Sequence, residues 1–100
     1  RVFHALDAAH TRRPVTWVIT GGAPGADTLA EEWATHANVN CKVFLANWEQ
    51  FGKRAGPMRN QRMLEEGKPD AAVAFPGGSG TADMCRRLRA ADVKIWRPYG

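Results

Sequence analysis

The stretch that decides the fold is Ala71-Ala72-Val73-Ala74-Phe75, which runs directly into Pro76-Gly77-Gly78-Ser79-Gly80-Thr81. The apolar run predicts a short buried strand, and the glycines predict a loop that opens a helix. Glycines let backbone N–H groups approach phosphate oxygens closely, and a helix start adds N–H donors that have no partner within the helix. This stretch therefore predicts a site for a phosphorylated ligand.

An earlier part of the chain has the same organisation. Val18-Ile19-Thr20 runs into Gly21-Gly22-Ala23-Pro24-Gly25-Ala26-Asp27. Two such loops on one sheet predict a nucleotide-like ligand bound across the strand ends. Two roles are open for Asp27: it caps its helix by accepting N–H bonds, or it accepts hydrogen bonds from ligand hydroxyls or a base.

Helical and strand patterns alternate along the whole chain. Helices are predicted over 2–11, 26–37, 57–66 and 80–91, strands over 15–20, 42–46, 71–75 and 93–96, and a loop over 47–56. Short apolar strands separated by helices favour an α/β fold, in which a mostly parallel sheet is covered on both faces. We expect a single domain over 1–100. Because a helix opens the series, we also expect a further strand upstream of Arg1.

Composition narrows the function classes. The net charge of +4 and the isoelectric point of about 9.6 favour an anionic partner without identifying one. Neither the two cysteines nor the three histidines have metal-ligand spacing, so we predict no metal site and no cofactor. No apolar run approaches the roughly 20 residues that span a bilayer, so we expect no membrane association. With no signal peptide visible, a cytoplasmic protein is expected.

Two basic clusters need separate interpretations. Arg59 is predicted in the first turn of its helix, where a cation opposes the helix dipole unless an anion lies between them. Asn60 beside it offers a donor and an acceptor to a base or sugar, and Arg62 is predicted to point to solvent or to pair with Glu66. The cluster of Arg86, Arg87 and Arg89 is predicted to be a solvated outer face of the last helix. For Trp48, stacking on a base and a buried anchor both stay open.

Six motifs in this order resemble the YspA, or cpYpsA-related, SLOG family of small bacterial and phage domains. They are Gly21 to Asp27, Glu32-Trp33-Ala34, Ala46-Asn47-Trp48, Gly52 with Ala55 to Asn60, Pro69-Asp70, and Ala74 to Met84. The resemblance covers nearly the whole chain. It implies a Rossmann-like three-layer sandwich, whose first strand is missing from this chain.

The same superfamily includes the LOG phosphoribohydrolases, which cleave the N-glycosidic bond of nucleoside 5′-monophosphates. Their Arg-Lys-x-x-Met block is similar to Arg59-Asn60-Gln61-Arg62-Met63, and their Pro-Gly-Gly-x-Gly-Thr-x-x-Glu block to Pro76 onward. The position of their catalytic Glu is Met84, and Asp83 lies one residue away. The DprA family, which binds single-stranded DNA, shares an Arg-Asn-Arg block that resembles Arg59-Asn60 and its neighbours.

Three functions follow, in order of preference. The first is binding or sensing of a nucleotide-derived phosphorylated ligand. The second is LOG-like phosphoribohydrolase activity, with Arg59 and Asp83 as the catalytic residues. The third is DprA-like binding of single-stranded nucleic acid. A homodimer is plausible by resemblance. The predicted ligand-binding residues are Gly21, Gly22, Gly25, Asp27, Arg59, Asn60, Gly77, Gly78, Ser79, Gly80 and Thr81.

Overall fold

The structure is a computed structural model that describes residues 1–99. Its helices are α1 (Val2–Arg12), α2 (Ala26–His36), α3 (Trp48–Phe51), α4 (Ala55–Gly67) and α5 (Ser79–Ala90), with a short 3₁₀ helix at Gly52–Arg54. Its strands are β1 (Trp17–Thr20), β2 (Asn40–Val43), β3 (Ala71–Val73) and β4 (Lys94–Trp96). None of the described helices is long and apolar enough to cross a membrane.

The chain forms two compact units, the first over Arg1–Phe44 and the second from Leu45 onward. In the first unit, β1 and β2 pair in parallel, from Trp17 opposite Asn40 to Thr20 opposite Val43. Helix α2 makes the connection between them, as a parallel pair requires.

The core of the first unit lies where α1 meets α2. Val2, Ala5 and Leu6 of α1 are buried, as are Trp33 and Ala34 of α2. The Trp33 side chain is fully buried, and its Nε1–H donates to Asp7 Oδ1 at 2.8 Å. The indole therefore fills the core without leaving its donor unsatisfied.

In the second unit, β3 and β4 pair in parallel and α5 connects them. Helix α4 packs against α5. Ala55 of α4 and Cys85 and Leu88 of α5 are buried. The carboxyl ends of β3 and β4 therefore lie side by side, which is where open α/β sheets bind ligands.

The predicted alternation of helices and parallel strands is confirmed, so the chain is a mixed α/β protein. The structure does not confirm a three-layer sandwich around one sheet. It contains two separate parallel pairs, and all four residues of β2 are exposed rather than covered.

The second strand lies two residues earlier than predicted, at 40–43 instead of 42–46. Its partner β1 ends at Thr20, because the chain turns at Gly22, whose φ is 70°. The ladder closes with Phe44 N–H donating to Thr20 O at 2.8 Å.

The predicted loop at 47–56 was wrong in part, since it contains α3 and the 3₁₀ helix. Asn47 starts α3 by accepting the Gln50 N–H at 3.1 Å through Oδ1. Helix α4 then begins at Ala55, two residues before the prediction, so Pro57 is its third residue. A proline is tolerated there because the first four N–H groups of a helix have no partner within it.

Candidate functional site

The second unit has a cleft at the carboxyl ends of β3 and β4, with a volume of about 540 Å³. One wall is the segment 74–78, which carries the first glycines of the predicted phosphate loop. A second wall is the face of α5 that presents Thr81, Cys85 and Arg89, with Ala82 and Arg86 beside them. Arg97 and Tyr99, which follow β4, complete the cleft. This volume is in the range of small-molecule sites.

Gly77 and Thr81 pack closely within this loop. A Cβ added at Gly77 would overlap the Thr81 hydroxyl, so only glycine fits this position. The same Cβ at Gly78 or Gly80 would meet nothing within 4 Å. The loop thus holds the Thr81 side chain against its own backbone, on the wall of the cleft.

The start of α5 is uncapped. Gly78 is the N-cap residue, and no side chain among residues 1–99 accepts a hydrogen bond from this helix start. Thr81 is the third residue of the helix. The first N–H groups of α5 therefore remain available to an anion.

The arginines on the cleft differ in their partners. Arg86 lies 3.4 Å from Asp83 Oδ1 in a mostly exposed pair. The guanidinium groups of Arg89 and Arg97 have no hydrogen bond or ion pair within residues 1–99. Of the described lining residues, none is acidic. The cleft consequently has an excess of positive charge.

Helix α5 presents a second, different face to α4. There Asp83 Oδ2 accepts from Arg87 Nε at 2.8 Å and from Asn60 Nδ2 at 3.0 Å. The buried Asn60 also donates to Gly80 O at 3.1 Å. Arg87 donates in turn to Gln61 Oε1 at 2.8 Å. This network ties α4 to the first turn of α5.

Asp83 is held as a carboxylate. The hydrogen bond from Arg87 is the main cause that lowers its pKa below the ordinary value. Partial burial acts in the opposite direction, and the Asn60 hydrogen bond and the charge of Arg86 lower the pKa further. An ionised carboxylate with three protein donors is suited to holding two helices together.

Arg59 lies outside the first turn of its helix, contrary to the prediction. Because α4 begins at Ala55, Arg59 is its fifth residue, where the dipole argument loses most of its force. Its Nε–H donates to Asn60 Oδ1 at 3.0 Å. Arg59 is not one of the described residues that line the cleft.

The loop at 21–27, in the first unit, is closed on itself. Asp27 Oδ2 accepts the N–H groups of Gly21 and Ala23, both at 3.1 Å. The Gly22 N–H points to Thr20 Oγ1 at 3.4 Å. Gly25 has a φ of +90° at the start of α2, a conformation that glycine adopts without strain. Asp27 therefore occupies the position that an anion would take in this loop.

The structure thus brings Gly77, Gly78 and Thr81 of the predicted site together on the cleft, and joins Asn60 to Gly80 behind it. The first-loop residues form a separate arrangement in their own unit. Sequence reasoning missed Arg97 and Tyr99, and it assigned Arg86 and Arg89 to a solvated face. A usable signal was present for Arg97, since it follows a strand predicted to be parallel to the one before Gly77.

Other predictions near these residues have mixed outcomes. Arg62 and Glu66 do form the expected pair, at 3.4 Å. Trp48 is 58% exposed, so the buried-anchor interpretation is wrong. The tip of its ring lies at Gly56, where an added Cβ would approach it to 3.1 Å. Phe75 and Tyr99 form a stacked pair on the cleft, with centroids 6.2 Å apart.

Comparison with known proteins places the chain in a family. Residues 1–51 match the model of the YspA, cpYpsA-related SLOG family. The chain is also 38% identical over 85 residues to the gene 61 protein of Mycobacterium phage D29, which covers 78% of this chain and 67% of the phage protein. No solved structure matches significantly. The sequence, the parallel strand pairs and these matches agree that the chain belongs to the YspA, cpYpsA-related SLOG family.

Proposed function

We propose that the second unit binds a nucleotide-derived phosphorylated ligand in the cleft at the carboxyl ends of β3 and β4. The observation that carries the proposal is the uncapped start of α5 beside the arginine-rich wall of this cleft. Membership of the SLOG family agrees with a nucleotide-related ligand.

In this proposal a phosphate sits at the start of α5. The N–H groups after Gly78 donate to its oxygens, and the Thr81 hydroxyl donates from the wall. Arg86 and Arg89 supply positive charge, and the paired rings of Phe75 and Tyr99 offer an apolar surface to a base or sugar. Hydrogen bonds between charged groups in such a site are roughly twice as strong as neutral ones.

Arg59 and Asn60 take a positioning role in the proposal. Arg59 holds the Asn60 oxygen, and the Asn60 amide holds Gly80 O and Asp83. This chain of bonds fixes the first turn of α5, whose N–H groups are the proposed phosphate donors.

For the loop at 21–27 we propose a separate binding element, within the first unit, for a sugar or base. Its backbone donors are taken by Asp27 Oδ2, but within residues 1–99 Asp27 Oδ1 has no hydrogen-bond partner. A carboxylate oxygen of this kind can accept from a ribose hydroxyl or an exocyclic amine. Gly21, Gly22 and Gly25 shape the loop that presents it.

Mass spectrometry of small molecules released from purified, denatured protein tests the proposal. We expect a phosphorylated nucleotide-like molecule that is absent from a Gly78→Trp variant, in which the loop has space for a bulky side chain on the cleft lining. A protein that releases nothing, and whose loop amides do not respond to added nucleotides, would reject the proposal.

The phosphoribohydrolase alternative is distinguished from simple ligand binding by its product, a free base. It needs a carboxylate near the sugar, yet Asp83 is directed to α4 and already accepts from Asn60, Arg86 and Arg87. Incubation with nucleoside monophosphates should therefore release no free base. Release of base that is lost in Asp83→Asn would favour the hydrolase instead.

A further inference from the structure

We infer that the ligand of this cleft carries at least two linked phosphoryl groups, as a nucleoside diphosphate does, rather than a single phosphate monoester. The inference rests on the proposed function and deepens it. It comes from the number, position and partners of the arginines on the cleft wall.

The charge of the cleft exceeds what one monoester balances. Two guanidinium groups without an ion pair within residues 1–99, those of Arg89 and Arg97, line it beside Arg86, which shares Asp83 with Arg87, and none of the described lining residues is acidic. A phosphate monoester carries about −1.5 to −2 charges at neutral pH. The uncapped helix start already favours one phosphate group. The positive charge of the arginines is then available to a second phosphate group.

The interaction partners of the arginines also favour a ligand with more than one phosphate. Arg87 and Arg62, which lie off the cleft, are bound to Asp83 and Glu66. The guanidinium groups of Arg89 and Arg97, which line it, have no hydrogen bond or ion pair within residues 1–99. Arginine forks without a carboxylate partner on a concave surface are suited to bidentate binding of phosphate.

The position of the arginines separates two phosphate subsites. Thr81 and Arg89 lie on one face of α5 eight residues apart, which is about 12 Å along a helix axis. Helical side chains lean towards the helix N-terminus, so the Arg89 guanidinium lies closer to Thr81 than the distance along the axis suggests. The remaining gap places the arginine group beyond a phosphate at the helix start, where the next phosphoryl group of a chain would lie.

A nucleic-acid backbone would need cations in a row that extends past the cleft. Two arginines of α4 and α5 that lie off the cleft, Arg62 and Arg87, are instead engaged in ion pairs. The observations therefore favour a small molecule with adjacent phosphates over a strand.

Isothermal titration at constant ionic strength tests this inference, with orthophosphate, pyrophosphate and oligothymidylates of 5 and 15 nucleotides as probes. We expect pyrophosphate to bind at least about tenfold more tightly than orthophosphate, the gain for one more charged hydrogen-bonded group. Arg97→Gln should remove most of this gain and leave the orthophosphate affinity within about threefold of the parent, whereas Arg89→Gln should weaken the binding of both probes. Arg12→Gln makes the same charge change at an exposed position of α1, and it should alter neither affinity.

The outcomes separate the two proposals. Equal affinities for orthophosphate and pyrophosphate would overturn the inference and leave the proposed function standing. Affinity that rises with oligothymidylate length and depends on Arg89 and Arg97 would overturn it in favour of nucleic acid. No binding of either inorganic probe, with unchanged circular dichroism, would overturn the inference and the proposed function together.

Discussion

At the scale of single residues, the site depends on one close contact. Gly77 and Thr81 pack so tightly that the loop tolerates no side chain at position 77, while its neighbours Gly78 and Gly80 have open space. The glycines of this loop are therefore not equivalent. One is required by packing, and the other two leave the helix start open to a ligand.

This difference predicts the effects of three substitutions. Gly77→Ala should lower the free energy of unfolding by about 1–3 kcal/mol, the usual cost of overpacking. Gly78→Ala should cost much less, because nothing lies within 4 Å of the added methyl group. Adding Thr81→Ala to Gly77→Ala should restore most of the loss, since it removes the clashing hydroxyl. Urea unfolding of the three variants measures this, and a double variant as unstable as Gly77→Ala would contradict the packing account.

A second prediction concerns the backbone at Gly25. Its φ of +90° has open space around it, so Gly25→Ala should be destabilising through strain alone, by about 1–3 kcal/mol. Gly80→Ala, in the first turn of α5, should be neutral or stabilising by up to about 1 kcal/mol. Thermal unfolding compares them, and equal effects of the two changes would refute the role given to the Gly25 conformation.

At the scale of elements, the two loop-to-helix junctions differ in what accepts hydrogen bonds from their backbone N–H groups. Asp27 fills the first loop with a carboxylate from the protein itself. Within residues 1–99, no carboxylate accepts from the second loop, which lines the arginine-rich cleft. In our proposal this difference decides which loop binds an anion, because the first loop already holds the carboxylate of the helix that follows it.

The α4–α5 contact leads to a prediction with a pH dependence. The depressed pKa of Asp83 means that its charged form stabilises the folded state above about pH 3.9, the ordinary value, and that this contribution is lost as the pH falls through the folded pKa. Asp83→Asn should therefore lower stability by about 1.5–3 kcal/mol at pH 7 and by progressively less below about pH 4.

The matched control for Asp83 is Glu66→Gln. It breaks the exposed pair with Arg62, and it should cost under about 1 kcal/mol at any pH. Urea unfolding at several pH values measures both. A loss in Asp83→Asn that stays constant from pH 7 to pH 3 would contradict the ionised carboxylate as the link between the helices.

At the scale of the whole molecule, the sequence predicted the elements better than their assembly. Parallel pairing followed from short apolar strands separated by helices. The ends of the strands could not be predicted in this way. The end of β2 is set by its partner β1, which stops where the chain turns at Gly22, and the sequence of β2 itself carries no sign of that turn. The place of the arginines on the cleft could not be predicted for a similar reason. Taken alone, Arg89 is an exposed residue on a helix surface. That surface becomes one side of a cleft only because Arg97 and Tyr99 follow β4 next to it.

Ligand binding should also be visible in overall stability. A ligand at 100 times its dissociation constant adds about 2.7 kcal/mol to the folded state. For a chain of this length each 1 kcal/mol raises Tm by roughly 4–8 °C. Differential scanning fluorimetry should thus show a rise above 10 °C or so with saturating pyrophosphate, and a smaller one in Arg97→Gln. An unchanged Tm under saturation would count against a folded-state site.

The most direct measurement of the central claim is a ¹H–¹⁵N correlation titration of the 100-residue chain with pyrophosphate. The account predicts saturable shifts at the amides of Gly78, Ser79, Gly80 and Thr81, and much smaller ones at Gly21 and Ala23, whose N–H groups already donate to Asp27. Shifts confined to Gly21 and Ala23, or none in either loop, would contradict the assignment of the phosphate site to the start of α5.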